Sequence, residues 1–431
     1  LAAAKAAVLG ANIVVANLLF IDEHLQAIVP EMQAVRDNLD AFVGMVADPQ
    51  VVRLTKMGDL DMTKPASGPM ALLKKLRGKN EPGAGSAEKQ MSMLRTIPKM
   101  LKFIPGKAQD LRAWFLCMQY WLGGSEDNIE SMVRYLVGRY ADNRDWRGIK
   151  AAAPIDYPEV GLYHPDMPGR ITTDPAKLPQ PANPVATIGL LMLRSYILAK
   201  DTAHYDAVIR ELQAHGVAVL PAFAGGLDGR PAIEEFLHGK IDTLLSLSGF
   251  SLVGGPAYND SDAAVETLKA LDVPYVTAQP LEFQTLGQWR ASGGGLGPVE
   301  TTMLIALPEI DGATNPTVFA GRHDPAGCVT CARGCKPDPE AESHAMAPCP
   351  ERIETLVDKV VRMAKLRRSK VAERKVGIVL YGFPPNAGAA GTAAYLSVFE
   401  SLFNVMHAMK ASGYQMGELP ESVQELRDAV L

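Results

Sequence analysis

The sequence predicts an α/β fold: a multidomain fragment of parallel-sheet strand–helix domains with an all-helical insertion. The first observation comes from residues 184–310, where apolar strand-like segments alternate with short helical patterns. Near-continuous apolar strands joined by helical crossovers indicate a parallel sheet covered on both faces. The second is that residues 91–147 hold helical patterns without strand signals. A chain of 431 residues is also too long for one ordinary core, so several domains are expected.

The sequence of residues 1–183 predicts four segments. A strand, "NIVVANLLFI", a helical pattern and a second strand, "AFVGMVA", form an α/β unit over residues 1–62. Residues 63–90 are basic and rich in glycine and proline, which predicts a surface linker. In the helical region at 91–150, Cys117 lies among aromatic residues and is expected to be a buried structural thiol. Proline-rich residues 151–183 predict an irregular connection between domains.

The rest of the chain predicts an α/β domain at 184–321, a cysteine loop at 322–350 and the start of a further α/β domain at 351–431. That last domain opens with a basic amphipathic helix and continues with a strand, "KVGIVLYGF". Small residues cluster after the strands of the first domain, where parallel sheets bind ligands. They are Gly225, Gly226, Gly249, Gly254, Gly255 and Pro256. Tight strand–helix turns alone would also use these glycines.

Composition excludes several classes of protein. The net charge of −5 gives no electrostatic reason to expect a nucleic-acid partner. The longest apolar runs, Ile13–Ile21 and Val185–Leu193, are far shorter than the roughly 20 residues that a membrane span requires. The alanine-rich N-terminus has neither the basic region nor the cleavage site of a signal peptide. An odd number of cysteines, with four in one loop, indicates a reducing compartment, so we expect a cytoplasmic protein.

The strongest chemical signal is the segment "GCVTCARGCKPDPEAESHAMAPCP". It contains Cys328, Cys331, Cys335 and Cys349 in a C-x2-C-x3-C-x13-C pattern, with proline after the last cysteine. Thiolates are soft ligands, and three closely spaced cysteines with a distant Cys-Pro are typical of iron–sulfur ligand sets. Zinc sites more often place their ligands in two separated pairs. We therefore expect a metal site, with a [4Fe–4S] cluster favoured, zinc as the alternative, and incidental or pairwise-oxidised cysteines as the remaining possibility.

Other motifs offer less. The turn "GFPPNAGAAGT" at Gly382–Thr392 joins a predicted strand to a helix and could contact an anion, although a structural turn explains it as well. It lacks the lysine of a P-loop, so ATP hydrolysis is not expected in this chain. No nucleophile motif is present. The scattered histidines predict surface or capping positions, and His344 is an exception only because it lies between Cys335 and Cys349. The eight are His24, His164, His204, His215, His238, His323, His344 and His407.

Several long motifs resemble the large, porphyrin-binding H subunits of magnesium chelatases. The resemblance covers nearly the whole chain and lies in "LRTIPKMLKFIPGKAQDLRAWFLCMQYWLGGSEDN", "PAFAGGLDG", "LSLSGFSLVGGPA", "LDVPYV", "ALPEIDGATNPTVFAGR" and "FPPNAGAAGTAAYLSVFESLFNVMHAMKASGY". It implies a subunit that binds protoporphyrin IX for Mg²⁺ insertion in (bacterio)chlorophyll synthesis. It also implies two partners, an AAA+ ATPase (I) subunit and a D subunit, which supply ATP hydrolysis. Family members are much longer, and this chain looks like their N-terminal part.

The resemblance assigns no catalytic residue. The family's H-G-x-L-E-F-type stretch, whose glutamate is associated with metal insertion, has no match here. Members from oxygenic phototrophs lack the cysteines, whereas some anoxygenic bacterial members carry a similar pattern with one more residue in the last gap and are thought to bind a [4Fe–4S] cluster. The resemblance thus points to an anoxygenic phototroph. The alternatives are a cobaltochelatase large subunit, which handles a corrin, and a non-catalytic redox-sensing tetrapyrrole-binding protein.

Overall fold

The computed structural model describes most of the chain. The described ranges are 2–64, 96–143, 145–255, 258–328, 331–333, 335, 345–381 and 396–431. The predicted basic linker at 63–90 lies almost entirely outside them, as does the Gly382–Thr392 turn. The chain divides into two compact units: unit 1 comprises Leu1–Pro158 with Ser195–Asp201, and unit 2 comprises Glu159–Arg194 with Thr202–Leu431.

Unit 1 contains a small sheet and several helices. Its strands are β1 (Ile13–Ala16), β2 (Ala41–Gly44), β3 (Lys56–Met57) and β4 (Leu60–Asp61). Its helices are α1 (Ala2–Gly10), α2 (Asp22–Val35), α3 (Pro49–Arg53), α4 (Lys107–Gly123), α5 (Glu126–Tyr140) and α6 (Arg194–Leu198), the last of which begins in unit 2. β1 and β2 pair in parallel and are connected by α2, which confirms the predicted strand–helix–strand unit. The two helices predicted in the 91–147 region are present as α4 and α5.

The two faces of the small sheet pack against different helices. Val14, Ala16 and Phe42 pack with the apolar stripe of α2. Successive side chains of a strand point to opposite faces, so Ala41 and Val43 lie on the other face of the sheet and pack with α4 and α5. Cys117 is fully buried in this second cluster, and burial raises the pKa of its thiol to about 12. The prediction of a structural thiol at this position is confirmed.

Unit 2 is built on a larger sheet. Its strands are β5 (Val160–Tyr163), β6 (Ile171–Thr172), β7 (Thr187–Leu193), β8 (Ala218–Ala224), β9 (Thr243–Ser246), β10 (Gly254–Gly255), β11 (Tyr258–Asn259), β12 (Tyr275–Thr285), β13 (Thr314–Arg322) and β14 (Met346–Pro348). Its helices are α7 (Ala203–Ala214), α8 (Arg230–Ala232), α9 (Ser261–Leu271), α10 (Leu286–Ala291), α11 (Pro298–Glu300), α12 (Leu307–Ile310), α13 (Pro350–Arg368), α14 (Val398–Ala411) and α15 (Val423–Val430). π-Helical turns at Ile233–Leu237 and Thr301–Ala306 extend α8 and precede α12.

Eight strands of unit 2 form one sheet in the order β14-β13-β12-β9-β7-β8-β5-β6. The five central strands are parallel, and the edge strands pair antiparallel. β7 lies between β8 and β9, so the chain reverses its direction across the sheet at β7. Strands such as β9 are buried at every position, as expected for a sheet covered on both faces. The predicted α/β class with a parallel sheet is confirmed.

Three details differ from the sequence prediction. Residues 375–381, interpreted as a strand, form none, and Val379 is 91% exposed. β13 pairs with β12 in the sheet. Pro316 within this segment argues against a strand when only the sequence is considered. The proline-rich segment at 151–183 supplies β5 and β6 to the sheet edge, although its composition predicts an irregular connection. Among the described residues, no helix is both long and apolar enough to cross a membrane.

Candidate metal centre and sheet-edge cleft

The cysteine loop starts where β13 ends, and α10 fixes that start. The Thr285 hydroxyl, which caps α10, donates to the Asp324 carboxylate at 2.9 Å. At Gly287, a Cβ atom would lie 2.7 Å from Asp324 Oδ2 and 3.4 Å from the Gly327 carbonyl oxygen. The loop therefore approaches the α10 backbone at a position where a side chain would collide. Cys328 follows this contact directly.

The other end of the loop is fixed by β14 and α13. The Cys349 backbone N–H donates to the Phe319 carbonyl in β13 at 2.9 Å, and Cys349 is the N-cap residue of α13. At the first end, the Cys331 N–H donates to the Cys328 carbonyl at 3.0 Å and forms a tight turn. Cys331 and Cys349 are buried, whereas Cys328 and Cys335 are intermediate in exposure. The sheet and α13 thus fix the backbone of Cys349, whereas, among the described residues, the backbone of Cys331 is bonded only to that of Cys328 in the loop itself.

The thiols influence one another electrostatically. The pKa of Cys335 is raised, first by burial and then by the neighbouring thiols of Cys331 and Cys328. The pKa of Cys349 is raised mainly by burial, with a smaller contribution from Cys331. The thiols of Cys328, Cys331 and Cys335 therefore lie near one another, and Cys331 also influences Cys349. Because the raised pKa values favour the protonated thiols, a metal that binds here must displace protons.

Two ion pairs border the thiols, and neither was predicted from the sequence. Arg290 Nη1 in α10 lies 3.1 Å from Glu351 Oε2 at the start of α13. The Cys331 Sγ atom is 3.9 Å from the same Glu351 oxygen. Arg333, inside the loop, forms a two-pronged pair with Glu354, at 2.6 and 2.5 Å. Sequence offered one signal for these residues, the position of Glu351 and Glu354 just after Cys-Pro, but it could not identify their partners.

Four thiols are a donor set whose chemistry suits a soft metal. Within the described part of the loop, however, no three histidine, cysteine or acidic side chains are already arranged to hold a metal ion. Val329, Thr330, Gly334 and residues 336–344, which include His344, lie outside that part. The types of side chain thus suit a soft metal, but the described residues, which include all four cysteines, form no metal site.

A cleft lies at the carboxyl ends of β7, β8 and β9, at the point where the sheet reverses direction. Met192, Ser246 and Ser248 line it, together with residues of the two following loops. The hydroxyl oxygens of Ser246 and Ser248 are 2.9 Å apart. Beneath one loop, Asp311 accepts hydrogen bonds from the Ser251 hydroxyl and, at 2.9 Å, from the Leu252 N–H. This is the edge at which ligands bind in open α/β sheets.

The glycines at this edge have local structural reasons. Gly226 and Gly249 adopt φ values of +76° and +70°, which favour glycine. A Cβ atom on Gly225 would lie 2.3 Å from a Glu159 carboxylate oxygen. Gly254 also has a positive φ, and Pro256 lies outside the described residues. Turn geometry and close packing therefore account for these glycines without a ligand.

Three histidines of unit 2 contradict the expectation of surface positions. His164 and His204 are fully buried, and His323 is also buried. The ring centroid of His204 lies 3.9 Å from that of Tyr205 and 5.9 Å from that of Phe319. Burial, with a contribution from the charge of Arg322, lowers the pKa of His204 to about 3. His204 is thus a neutral core residue at ordinary pH.

The chain is similar to known proteins along its whole length. The family described as CobN/Magnesium Chelatase matches residues 118–431, and a Domain of unknown function (DUF3479) matches residues 1–115. The magnesium-chelatase H subunit of Rhodobacter capsulatus is 99% identical over 100% of this chain, and that of Cereibacter sphaeroides is 72% identical over 100%. The chain spans 36% of the length of each of these relatives.

A solved structure shows the same fold. The catalytic subunit of cobaltochelatase from Mycobacterium tuberculosis superposes with a TM-score of 0.62 at 19% identity. The match covers 99% of this chain and 30% of that one. At this identity the likeness concerns the fold alone.

Proposed function

Because the chain belongs to the CobN/magnesium chelatase family, we propose that it is a segment of the porphyrin-binding subunit of a magnesium chelatase. The observation that supports this most is its near-identity, over every residue, to the magnesium-chelatase H subunit of Rhodobacter capsulatus. The substrates are Mg²⁺ and protoporphyrin IX, and the product enters (bacterio)chlorophyll biosynthesis. Since the chain spans about a third of such subunits, it acts as part of the longer protein.

Metal insertion sets the physical task. The neutral ring must lose two N–H protons while Mg²⁺ sheds tightly held water. A large subunit that encloses and distorts the ring lowers this barrier, and coupled ATP hydrolysis can power the change. We assign that hydrolysis to partner subunits, the AAA+ ATPase (I) and D proteins, because this sequence has no P-loop motif. The proposed location is the cytoplasm.

We assign a resident cofactor to the cysteine loop: a [4Fe–4S] cluster held by Cys328, Cys331, Cys335 and Cys349, with zinc as the alternative. The support is the C-x2-C-x3-C…C-P spacing and the mutual influence of the thiols of Cys328, Cys331 and Cys335. When bound, such a cluster supplies a one-electron redox couple. The chain's part is to place Cys349 at the start of α13 and Cys331 in a tight turn. The site reports oxygen or redox state, separate from Mg²⁺ insertion.

Substitution of one ligand tests the cofactor. In anaerobically prepared protein, Cys331→Ser should abolish the broad visible absorbance of the cluster and lower the iron and sulfide content. Cys117→Ala is the matched control, because that thiol is buried in unit 1. An unchanged spectrum in Cys331→Ser would refute ligation by this residue, and stoichiometric zinc without iron would favour the alternative metal.

An insertion assay tests the function. The full-length subunit that contains this segment, mixed with its ATPase partners and ATP, should convert protoporphyrin IX and Mg²⁺ into the magnesium porphyrin. It should leave a corrinoid with Co²⁺ unchanged. Cobalt insertion instead would make the protein a cobaltochelatase subunit, the second candidate that the family admits. A protein that holds a cluster but captures no ATPase partner in a pull-down would instead be a redox sensor.

A further inference from the structure

The described residues that follow α13 form almost no core. α13 packs against β13 and α7, and it buries six side chains, the last of which is Ala364. Among the described residues from Ser369 onwards, only Leu426 is buried. α14 has no buried side chain along its 14 residues. The contrast between α13 and the residues after it marks a surface that the described part of the chain does not cover.

The first part of this surface is the segment 375–381, "KVGIVLY". Val376, Ile378, Val379 and Tyr381 are 54%, 48%, 91% and 78% exposed, and the three sheets of the described residues do not include the segment. Apolar residues at nearly every position are typical of an interior strand of a parallel sheet, with a neighbour on each side and helices on both faces. The segment thus has the pattern of a buried strand while its side chains contact water.

The second part of the surface is α14, which comes later in the chain than the segment 375–381, as a helix follows a strand in a parallel sheet. Phe399, Leu402 and Met406 are spaced by three and four residues, so they share one face of the helix. α15 contacts α14, and the Arg427 guanidinium carbon lies 5.8 Å from the centre of the Phe399 ring. None of the three apolar side chains is buried by this contact.

The length of the relatives indicates what covers the surface. The chain spans 36% of two similar H subunits, and the structural match covers 30% of the solved cobaltochelatase subunit. A later part of the same polypeptide has a high effective concentration, so it docks at a lower entropic cost than a separate protein or a second copy. The unpaired backbone of an apolar segment is a template for such pairing.

We propose that residues 375–381 and α14 are a docking surface for a later part of the same, longer subunit. That part adds a β-strand on each side of residues 375–381 and packs against the apolar face of α14. This chain contributes one interior strand and one covering helix to the resulting sheet. The inference depends on the length of the relatives and not on the substrate, so it can fail while the proposed function stands.

Hydrogen exchange of backbone amides, measured by mass spectrometry, tests the proposal in the 431-residue chain and in the full-length subunit. In the 431-residue chain, residues 376–381 should exchange like an open chain. In the full-length subunit they should exchange at least about 100-fold more slowly, because their N–H groups then donate to neighbouring strands. Residues 353–361 of α13 should be protected in both proteins, which controls for folding. Equally fast exchange of residues 376–381 in both proteins would overturn the inference.

Val379→Asp tests the side chains. The 431-residue chain should unfold in urea as before, because Val379 is exposed there. In the full-length subunit the protection of residues 376–381 should fall about tenfold or more, because the carboxylate would be buried. Val299→Asp, at a position on α11 that is 61% exposed, is the control and should leave the protection unchanged.

A second variant covers the case in which the full-length Val379→Asp protein does not fold. Val379→Ala shortens the side chain without adding a charge, and it should also lower the protection. Protection that stays undiminished in whichever variant folds would overturn the inference.

Two further results would identify a different occupant and overturn the inference. A dimer of the 431-residue chain that Val379→Asp dissociates, seen by sedimentation, would place a second copy on the surface. Protection of residues 376–381 in the full-length subunit that appears only after a partner protein is added would place a separate protein there.

Discussion

Leu18 has an unusual backbone. It follows β1, its φ is +53°, and its N–H donates to the carbonyl of Val46, which itself has a φ of +45°. A side chain with a Cβ atom pays a steric cost in this left-handed region, whereas asparagine tolerates it better. The Leu18 side chain is 60% exposed, so it gains little from packing.

Leu18→Asn should therefore stabilise unit 1 by about 0.5–1 kcal/mol, measured as the free energy of unfolding in urea. Leu18→Ala is the matched control, because alanine keeps a Cβ atom at the same left-handed φ. It should give no such gain. Equal effects of the two substitutions would show that backbone conformation is not the cause.

His204 makes stability depend on pH. Its pKa in the folded protein, about 3, is below the usual value near 6.5, so the unfolded chain binds the proton more readily. Stability from this residue is complete above pH 6.5 and is lost as the pH falls towards 3. Because the unfolded chain takes up this proton, the free energy of unfolding should be about 1.4 kcal/mol lower at pH 5.5 than at pH 7.5.

His204→Phe removes that titration while retaining an aromatic ring. The difference in unfolding free energy between pH 7.5 and 5.5 should shrink by about 1.4 kcal/mol relative to the unsubstituted protein. His407→Gln, at an exposed position on α14, should leave the difference as it was. A His204→Phe protein with an undiminished difference would contradict the assignment of a neutral buried histidine.

At the scale of elements, the end of β2 depends on close packing. A Cβ atom on Gly44 would lie 2.3 Å from the Val51 carbonyl oxygen of α3. The Thr55 hydroxyl bonds both backbone groups of Gly44, at 3.0 and 3.1 Å, and Trp114 Nε1 donates to its carbonyl at 2.9 Å. β2, α3 and α4 therefore meet at a residue without a side chain.

Gly44→Ala should destabilise unit 1 by about 1–3 kcal/mol, because backbone atoms must move to admit the methyl group. Thermal or urea unfolding measures the change. Gly10→Ala is the control, since a Cβ atom there would meet nothing within 4 Å. A Gly44→Ala protein as stable as the Gly10→Ala protein would show that α3 is free to move away from β2.

Elements with a strong local pattern were predictable from the sequence, and those that depend on a distant partner were not. The apolar stripes of α2 and α5 and the apolar run of β7 can be recognised from the sequence alone. Residues 375–381 have an equally apolar run, yet a strand needs a neighbour to accept its hydrogen bonds, and this segment pairs with none of the described strands.

At the scale of the whole molecule, the candidate site shows the same contrast between local sequence patterns and contacts with distant residues. The spacing of the cysteines singled out the four thiols because they are close in sequence. Arg290 and Glu351 are 61 residues apart, so only folding shows that they meet. Family membership came from long motifs spread over the chain, and the domain boundaries proposed from composition remain predictions.

The central claim is that the chain belongs to a subunit that binds protoporphyrin IX. The most direct measurement is a titration of the full-length subunit with protoporphyrin IX, followed by quenching of protein fluorescence. We predict saturable quenching that a corrinoid does not reverse. Quenching that never saturates, or that a corrinoid competes away, would contradict the assignment.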